Sequence, residues 1–123
     1  MKYIRTKDGR ILYMIEKCEY KENKITYIVG WDLEDNFEIN QEDVINQADT
    51  IEELCDEFVA FKTKEDYGIL SATDYIEGHK WEIEDYAKNG YQIYACIWVI
   101  DSNGAPTLKP VAKMNDKGEL ELL

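Results

Sequence analysis

Residues 2–6 and 10–15 are two short runs rich in tyrosine and isoleucine, and Lys7-Asp8-Gly9 between them carries the Asp-Gly signal of a hairpin turn. Residues 18–24 are polar and read as a connection. A third strand is expected over 25–30, where β-branched and aromatic residues return and Gly30 ends them. From Trp31 the chain alternates, with Leu33, Asp35, Phe37 and Ile39 in one set and Asp32, Glu34, Asn36, Glu38 and Asn40 in the other. Period two predicts a half-buried strand whose carboxylates point to water. Asp35 breaks the inward set, so a turn at Glu34-Asp35-Asn36 between two strands fits equally well. Residues 41–47 fit either strand or loop.

The period changes after Ala48. Asp49 or Thr50 is placed to cap a helix, Glu52 falls at the capping-box position, and Ile51, Leu54, Cys55 and Phe58 recur at helical spacing. This predicts a short acidic amphipathic helix with Glu52, Glu53, Asp56 and Glu57 outward, continuing into a strand over 59–62. Residues 64–68 read as a connection. Ser71-Ala72-Thr73-Asp74 opens another helical stretch, Gly78 interrupts it, and a second helix is expected over about 80–88, ended by Asn89-Gly90. Turns at Ser102-Asn103-Gly104 and Asn115-Asp116-Lys117-Gly118 make the last third a three-stranded meander. Pro106 and Pro110 lack amide donors and put its middle strand at an edge or beside a bulge. The expected fold is α+β: a single domain over 1–123, an antiparallel sheet of about six strands ending in the meander, and one or two short helices.

Composition supports folding. The chain has 123 residues, 45% hydrophobic and 12% aromatic, too much apolar material for a disordered acidic tail. No apolar run approaches the roughly 20 residues that span a bilayer, and Met1-Lys2-Tyr3 begins no signal peptide, so a cytoplasmic protein is expected. Cys18, Cys55 and Cys96 are odd in number and widely spaced, which argues against a disulfide framework or zinc site and for reduced cysteines acting as small hydrophobes.

Charge sharpens the picture. The net charge is -12, and residues 25–61 hold eleven acids with no lysine or arginine, whereas the rest of the chain nearly balances. Such a field favours cationic partners and disfavours nucleic acid and anionic membranes as direct ligands. Asp32, Glu34, Asn36, Glu38, Asn40 and Asp43 approach the spacing of a calcium loop, but Phe37 stands where that loop needs glycine and Asp43 where it needs a bidentate glutamate. His79 sits in a polar context with no nucleophile at fixed spacing, and pairs such as Glu82 with Glu84 or Glu52 with Glu53 arise by chance among 26 acids. No metal, cofactor or enzymatic activity is expected. Carboxylates spread over a rigid surface can instead imitate the phosphates of a nucleic acid and occupy a basic groove. The residues expected to contact such a partner are Asp32, Glu34, Asp35, Glu38, Glu42 and Asp43, with Glu52, Glu53, Asp56 and Glu57 as a second acidic surface and Trp81 as an aromatic anchor.

Three blocks carry a resemblance: Lys2-Tyr3-Ile4-Arg5-Thr6-Lys7-Asp8-Gly9-Arg10-Ile11, Gln47-Ala48-Asp49-Thr50-Ile51-Glu52-Glu53-Leu54-Cys55-Asp56-Glu57-Phe58-Val59, and Val111-Ala112-Lys113-Met114-Asn115-Asp116-Lys117-Gly118-Glu119-Leu120-Glu121-Leu122-Leu123. Together they resemble a family of small, mostly uncharacterised prophage and mobile-element proteins of Firmicutes, relative to which residues 65–89 look like an insertion. That family brings no catalytic residues. The resemblance implies a phage context, and small acidic phage proteins of this type include anti-CRISPR inhibitors that imitate DNA before an RNA-guided nuclease. The expectation is therefore an inhibitor binding a basic host protein, most readily a CRISPR effector nuclease. The alternative is an accessory structural or assembly protein of the phage particle, pairing through the free edge near residues 106–110.

Overall fold

In the computed structural model, residues 2–20, 24–30 and 36–123 are described; Trp31, Asp32, Leu33, Glu34 and Asp35, with the turn expected among them, lie outside that set. The α+β class with antiparallel pairing is what the chain adopts, as ten strands in two five-stranded sheets among the described residues, where about six in one sheet were expected. The chain divides into two compact units, Met1–Leu54 and Cys55–Leu123.

The first unit is a meander whose last strand returns to its first. Strands β1 (Tyr3–Thr6), β2 (Ile11–Glu19), β3 (Ile25–Gly30) and β4 (Asn36–Asn40) follow one another, a 3-10 turn spans Gln41–Asp43, and β5 (Val44–Ala48) pairs with β1, giving the order β4-β3-β2-β1-β5. The Asp-Gly hairpin forms as expected. Gly9 takes a φ of 81°, which favours glycine, and the Asp8 carboxylate both accepts from the Thr6 hydroxyl and pairs with Arg10 at 2.8 Å. The Arg10 and Thr6 hydrogen bonds hold the Asp8 carboxyl below its ordinary pKa.

Strand β2 runs further than expected, through Cys18 and Glu19, because its first half pairs with β1 and, after a bulge between Met14 and Glu16, its second half pairs with β3. Alternation along these strands puts Ile4, Tyr27, Val29 and Ile39 in one core, flanked by Leu12, Met14, Ile25 and Val44. The Gln47 Nε2 donates to the Tyr27 hydroxyl at 2.8 Å, joining β5 to β3 across that face. Phe37, expected inward, is exposed on the edge strand β4, with the Arg10 guanidinium 5.4 Å from its ring centre.

The second unit has the order β10-β9-β8-β6-β7. Here the expectation over 49–58 is corrected: Glu52–Leu54 is a single 3-10 turn and Glu57–Phe61 is strand β6. The inward set was right, since Ile51, Leu54, Cys55 and Phe58 are all buried, but Val59 and Ala60 are buried too. A segment covered on both faces and paired on both edges, to β7 and β8, is satisfied as a strand. A strand that sequence reading passed over, β7 (Tyr67–Ser71), lies at the sheet edge beside β6.

Helix α1 (Ala72–Asp74) then begins with the Ser71 hydroxyl accepting from the Asp74 amide at 3.0 Å. A π-helical turn over Tyr75–His79, broken at Gly78 with φ 128°, separates it from α2 (Lys80–Lys88). The chain returns as β8 (Gln92–Ile100), β9 (Pro106–Met114) and β10 (Leu120–Leu122), the expected meander. Because β6 and β8 are neighbours, β7 and the helices form an excursion between them. Phe58, Ile83, Ile93, Ala95, Ile97 and Ala112 are almost fully buried, and the Phe58 and Tyr75 rings meet at 4.5 Å between centres, tilted by 47°. The prolines act as expected: a bulge falls beside Pro110, and β10 covers only residues 112–114 of β9, leaving 106–110 unpaired on that side among the described residues.

Candidate acidic interface

Glu38 lies on β4, the edge strand of the first sheet, and Glu42 and Asp43 belong to the 3-10 turn that follows; all three are exposed. The turn is held because the Lys7 amide donates to the Asp43 carbonyl at 2.9 Å, which places Asp43 beside the hairpin. Pairing of β4 with β3 sets Glu38 opposite Ile28, and Ile28 lies opposite Glu16, so two carboxylates flank one isoleucine on the same face. The Tyr20 hydroxyl reaches Glu38 at 3.5 Å. None of Glu38, Glu42 and Asp43 forms a salt bridge with a described residue, although Lys24 shares a shallow depression with Glu42. Folding therefore brings Lys7 and Lys24 near a stretch that is free of bases in sequence.

The second acidic set does not form the helix face expected of it. Glu53 is exposed. Glu52 is half-buried beside the Tyr3 phenol, whose pKa is raised by burial and by the neighbouring Tyr13 and Glu52. Asp56 is engaged internally: its carboxylate accepts the Trp98 amide at 2.8 Å, its own amide donates to the Cys96 carbonyl at 3.0 Å, and its carbonyl accepts from the Ala72 amide at 2.9 Å. Strand β6 pairs with β8 only as far as Glu57 and Cys96, so the Asp56 side chain extends the ladder to the next inward amide of β8. Glu57 is half-buried on β6 next to Cys96. Sequence reading missed both roles, since Asp56 and Trp98 lie 42 positions apart. Asp32, Glu34 and Asp35 lie outside the described residues.

Trp81 stands 62% exposed on α2, with the exposed Glu84 and Asp85 one turn further along. The acids are shared evenly between the units: each carries 13 acids against 7 bases, hence -6 apiece.

Chemistry of other kinds finds little to build on. Among the described residues no group of three or more His, Cys, Asp or Glu is arranged to hold a metal ion. His79 Nδ1 lies 3.1 Å from Glu82 in an exposed pair one helical turn apart. Cys55 and Cys96 are buried, and burial pushes the Cys96 thiol up to about 11, so it is a poor nucleophile. A cleft of about 490 Å³ in the first unit is lined by Lys17, Tyr27, Gln41, Val44, Ile45, Asn46 and Gln47.

These features define a mostly β, α+β protein with an acidic exterior, in which no described helix is long and apolar enough to cross a membrane. No protein-family model matches the chain, and neither a curated protein nor a solved structure matches it.

Proposed function

We propose that this chain is a non-catalytic inhibitor from a mobile element that binds a basic, nucleic-acid-handling host protein through carboxylates. The observation that carries the reading is the group of Glu38, Glu42 and Asp43, exposed at one sheet edge and in the turn that follows it, without a salt bridge to a described residue. Glu38 on a paired strand and Glu42 and Asp43 on a held turn have their backbone positioned before binding, so arginines of a phosphate-binding groove can meet them bidentately with only side chains left to order. The resemblance to prophage proteins makes an RNA-guided CRISPR nuclease the target class to test first.

The test is a pull-down of guide-loaded CRISPR nucleases at low and high salt, alongside target-DNA cleavage. The expected result is salt-sensitive binding that blocks cleavage and is lost in a Glu38→Lys, Glu42→Lys, Asp43→Lys variant with an unchanged circular dichroism spectrum. Binding that survives the triple reversal refutes the reading. The second reading, an accessory assembly protein of the phage particle, is favoured by one observation, the uncharged open edge of β7.

A further inference from the structure

Strand β7 reads Tyr-Gly-Ile-Leu-Ser, with neither charge nor proline, and one of its edges is unpaired among the described residues. Native edges are ordinarily blunted by such residues. The direction of its free hydrogen-bonding groups follows from two bonds that bracket it. The Lys62 amide donates to the Asp66 carbonyl at 3.0 Å and the Ala72 amide to the Asp56 carbonyl at 2.9 Å. Antiparallel hydrogen-bonded pairs alternate, so Gly68 and Leu70 bond inward to Ala60 and Phe58. Tyr67, Ile69 and Ser71 consequently present their amides and carbonyls outward. Tyr67 and Ile69 are also 55% and 56% exposed, and Phe61, opposite Tyr67, is exposed beside them.

We infer that β7 pairs antiparallel with β7 of a second copy of this chain, about a two-fold axis at Ile69. In that register Ile69 exchanges both backbone bonds with its own counterpart, and Tyr67 does so with Ser71 on either side. The arrangement is isologous, each outward group meeting its complement. Local charge favours the antiparallel direction. Lys62 and Lys64 lie in the turn before β7, with Glu65 and Asp66, while Asp74 and Glu77 follow the strand. Asp66 is already bonded to the Tyr91 hydroxyl at 2.6 Å. In this register Lys64 of one copy falls opposite Asp74 of the other on both sides of the axis, while Lys62 lies over the Tyr91 ring of its own copy, 5.8 Å from the ring centre. The other uncharged edge strand, β5, lacks this property: Glu42 and Asp43 precede it and Asp49 and Glu52 follow, so self-pairing there sets acids against acids.

Sedimentation of the full chain from ~1 to ~300 μM tests the inference, since a pairing of this small size holds at micromolar affinity. The mass should rise from one chain to two. Ile69→Pro removes an outward amide while sparing the inward pairs, and Ile69→Lys places a cation against its own copy; each should weaken association at least tenfold with the fold retained by circular dichroism. Should Ile69→Pro fail to fold, Ile69→Lys, at a position already exposed, carries the comparison. Ile69→Cys reads the register, because residues directly opposed in a hydrogen-bonded pair stand about 5.5 Å apart at Cα, within disulfide range. It should cross-link to itself under mild oxidation, beyond any background from the native cysteines. A single-chain mass throughout, association unchanged in folded Ile69 variants, or no Ile69→Cys cross-link overturns the inference.

Discussion

Asp56→Ala separates a structural carboxylate from an interface one. In the native chain the Asp56 carboxylate accepts the Trp98 amide at 2.8 Å, where β6 has stopped and no backbone carbonyl of that strand faces the amide. A hydrogen bond with an ionised acceptor contributes about 1.5–3 kcal/mol, and Trp98 is exposed enough for water to recover part of the loss, so about 1.5–2 kcal/mol is expected. Asp56→Asn keeps an acceptor of similar shape and should lose roughly half as much. Asp43→Ala removes a solvated carboxylate and should stay within about 0.5 kcal/mol. Urea titrations followed by tryptophan fluorescence and circular dichroism measure all three, and an unchanged slope with denaturant identifies the loss as native-state stability. For a chain of this length the Asp56→Ala loss corresponds to a melting temperature lowered by roughly 5–10 °C. If Asp56→Ala and Asp43→Ala prove equally mild, the carboxylate is not extending the ladder, and Asp56 returns to the candidate interface.

Two further outcomes follow from packing and protonation. A Cβ on Gly68 would fall against the Tyr86 hydroxyl and 2.6 Å from its Cζ, so Gly68→Ala should destabilise by about 1–3 kcal/mol in urea, and Tyr86→Leu in the same chain should recover most of that; a neutral or stabilising Gly68→Ala would show that Tyr86 swings aside without cost. Burial raises the Cys96 thiol from 9.0 to about 11, so folding favours its neutral form: this contribution is intact below pH 9 and is lost as pH climbs from 9 toward 11, and Cys96→Ser should flatten that part of a stability–pH profile, whereas an identical slope in the variant refutes the assignment.

The parts of the fold legible in sequence are those with local causes. Asp8-Gly9, the β-branched run 25–30, the Asn89-Gly90 helix end and the two late turns each act within a few residues, and each stands where the pattern put it. The segment around Leu54 was not legible because Ile51, Leu54, Cys55 and Phe58 satisfy helical spacing, while the pairing of Phe58 with Leu70 and Ala95 that makes its stretch a strand is not revealed by sequence. Strand β7 escaped for a related reason. Its glycine looks like a breaker, yet it sits where the Tyr86 ring of α2 leaves no room for a side chain.

The candidate site was legible in composition and not in geometry, since a carboxylate counts the same wherever it sits in a sequence. In the fold, Glu42, Asp43 and Glu53 face water, Glu52 is half-buried, and Asp56 is spent on a backbone amide. The run of acids also crosses the division after Leu54, and the units on either side carry equal charge. Uniform sign raises encounter rates with any basic partner, but specificity needs carboxylates at fixed separations. Among the described acids first expected to bind, the group meeting that condition is Glu38 with Glu42 and Asp43, tied to β3 and to the Lys7 amide. Charge reversal at Asp56 or Glu57 would disturb β6, so a loss of binding in those variants would not separate contact from folding. The informative reversals are therefore those at Glu42 and Asp43, exposed in the turn between β4 and β5 and outside the ladder.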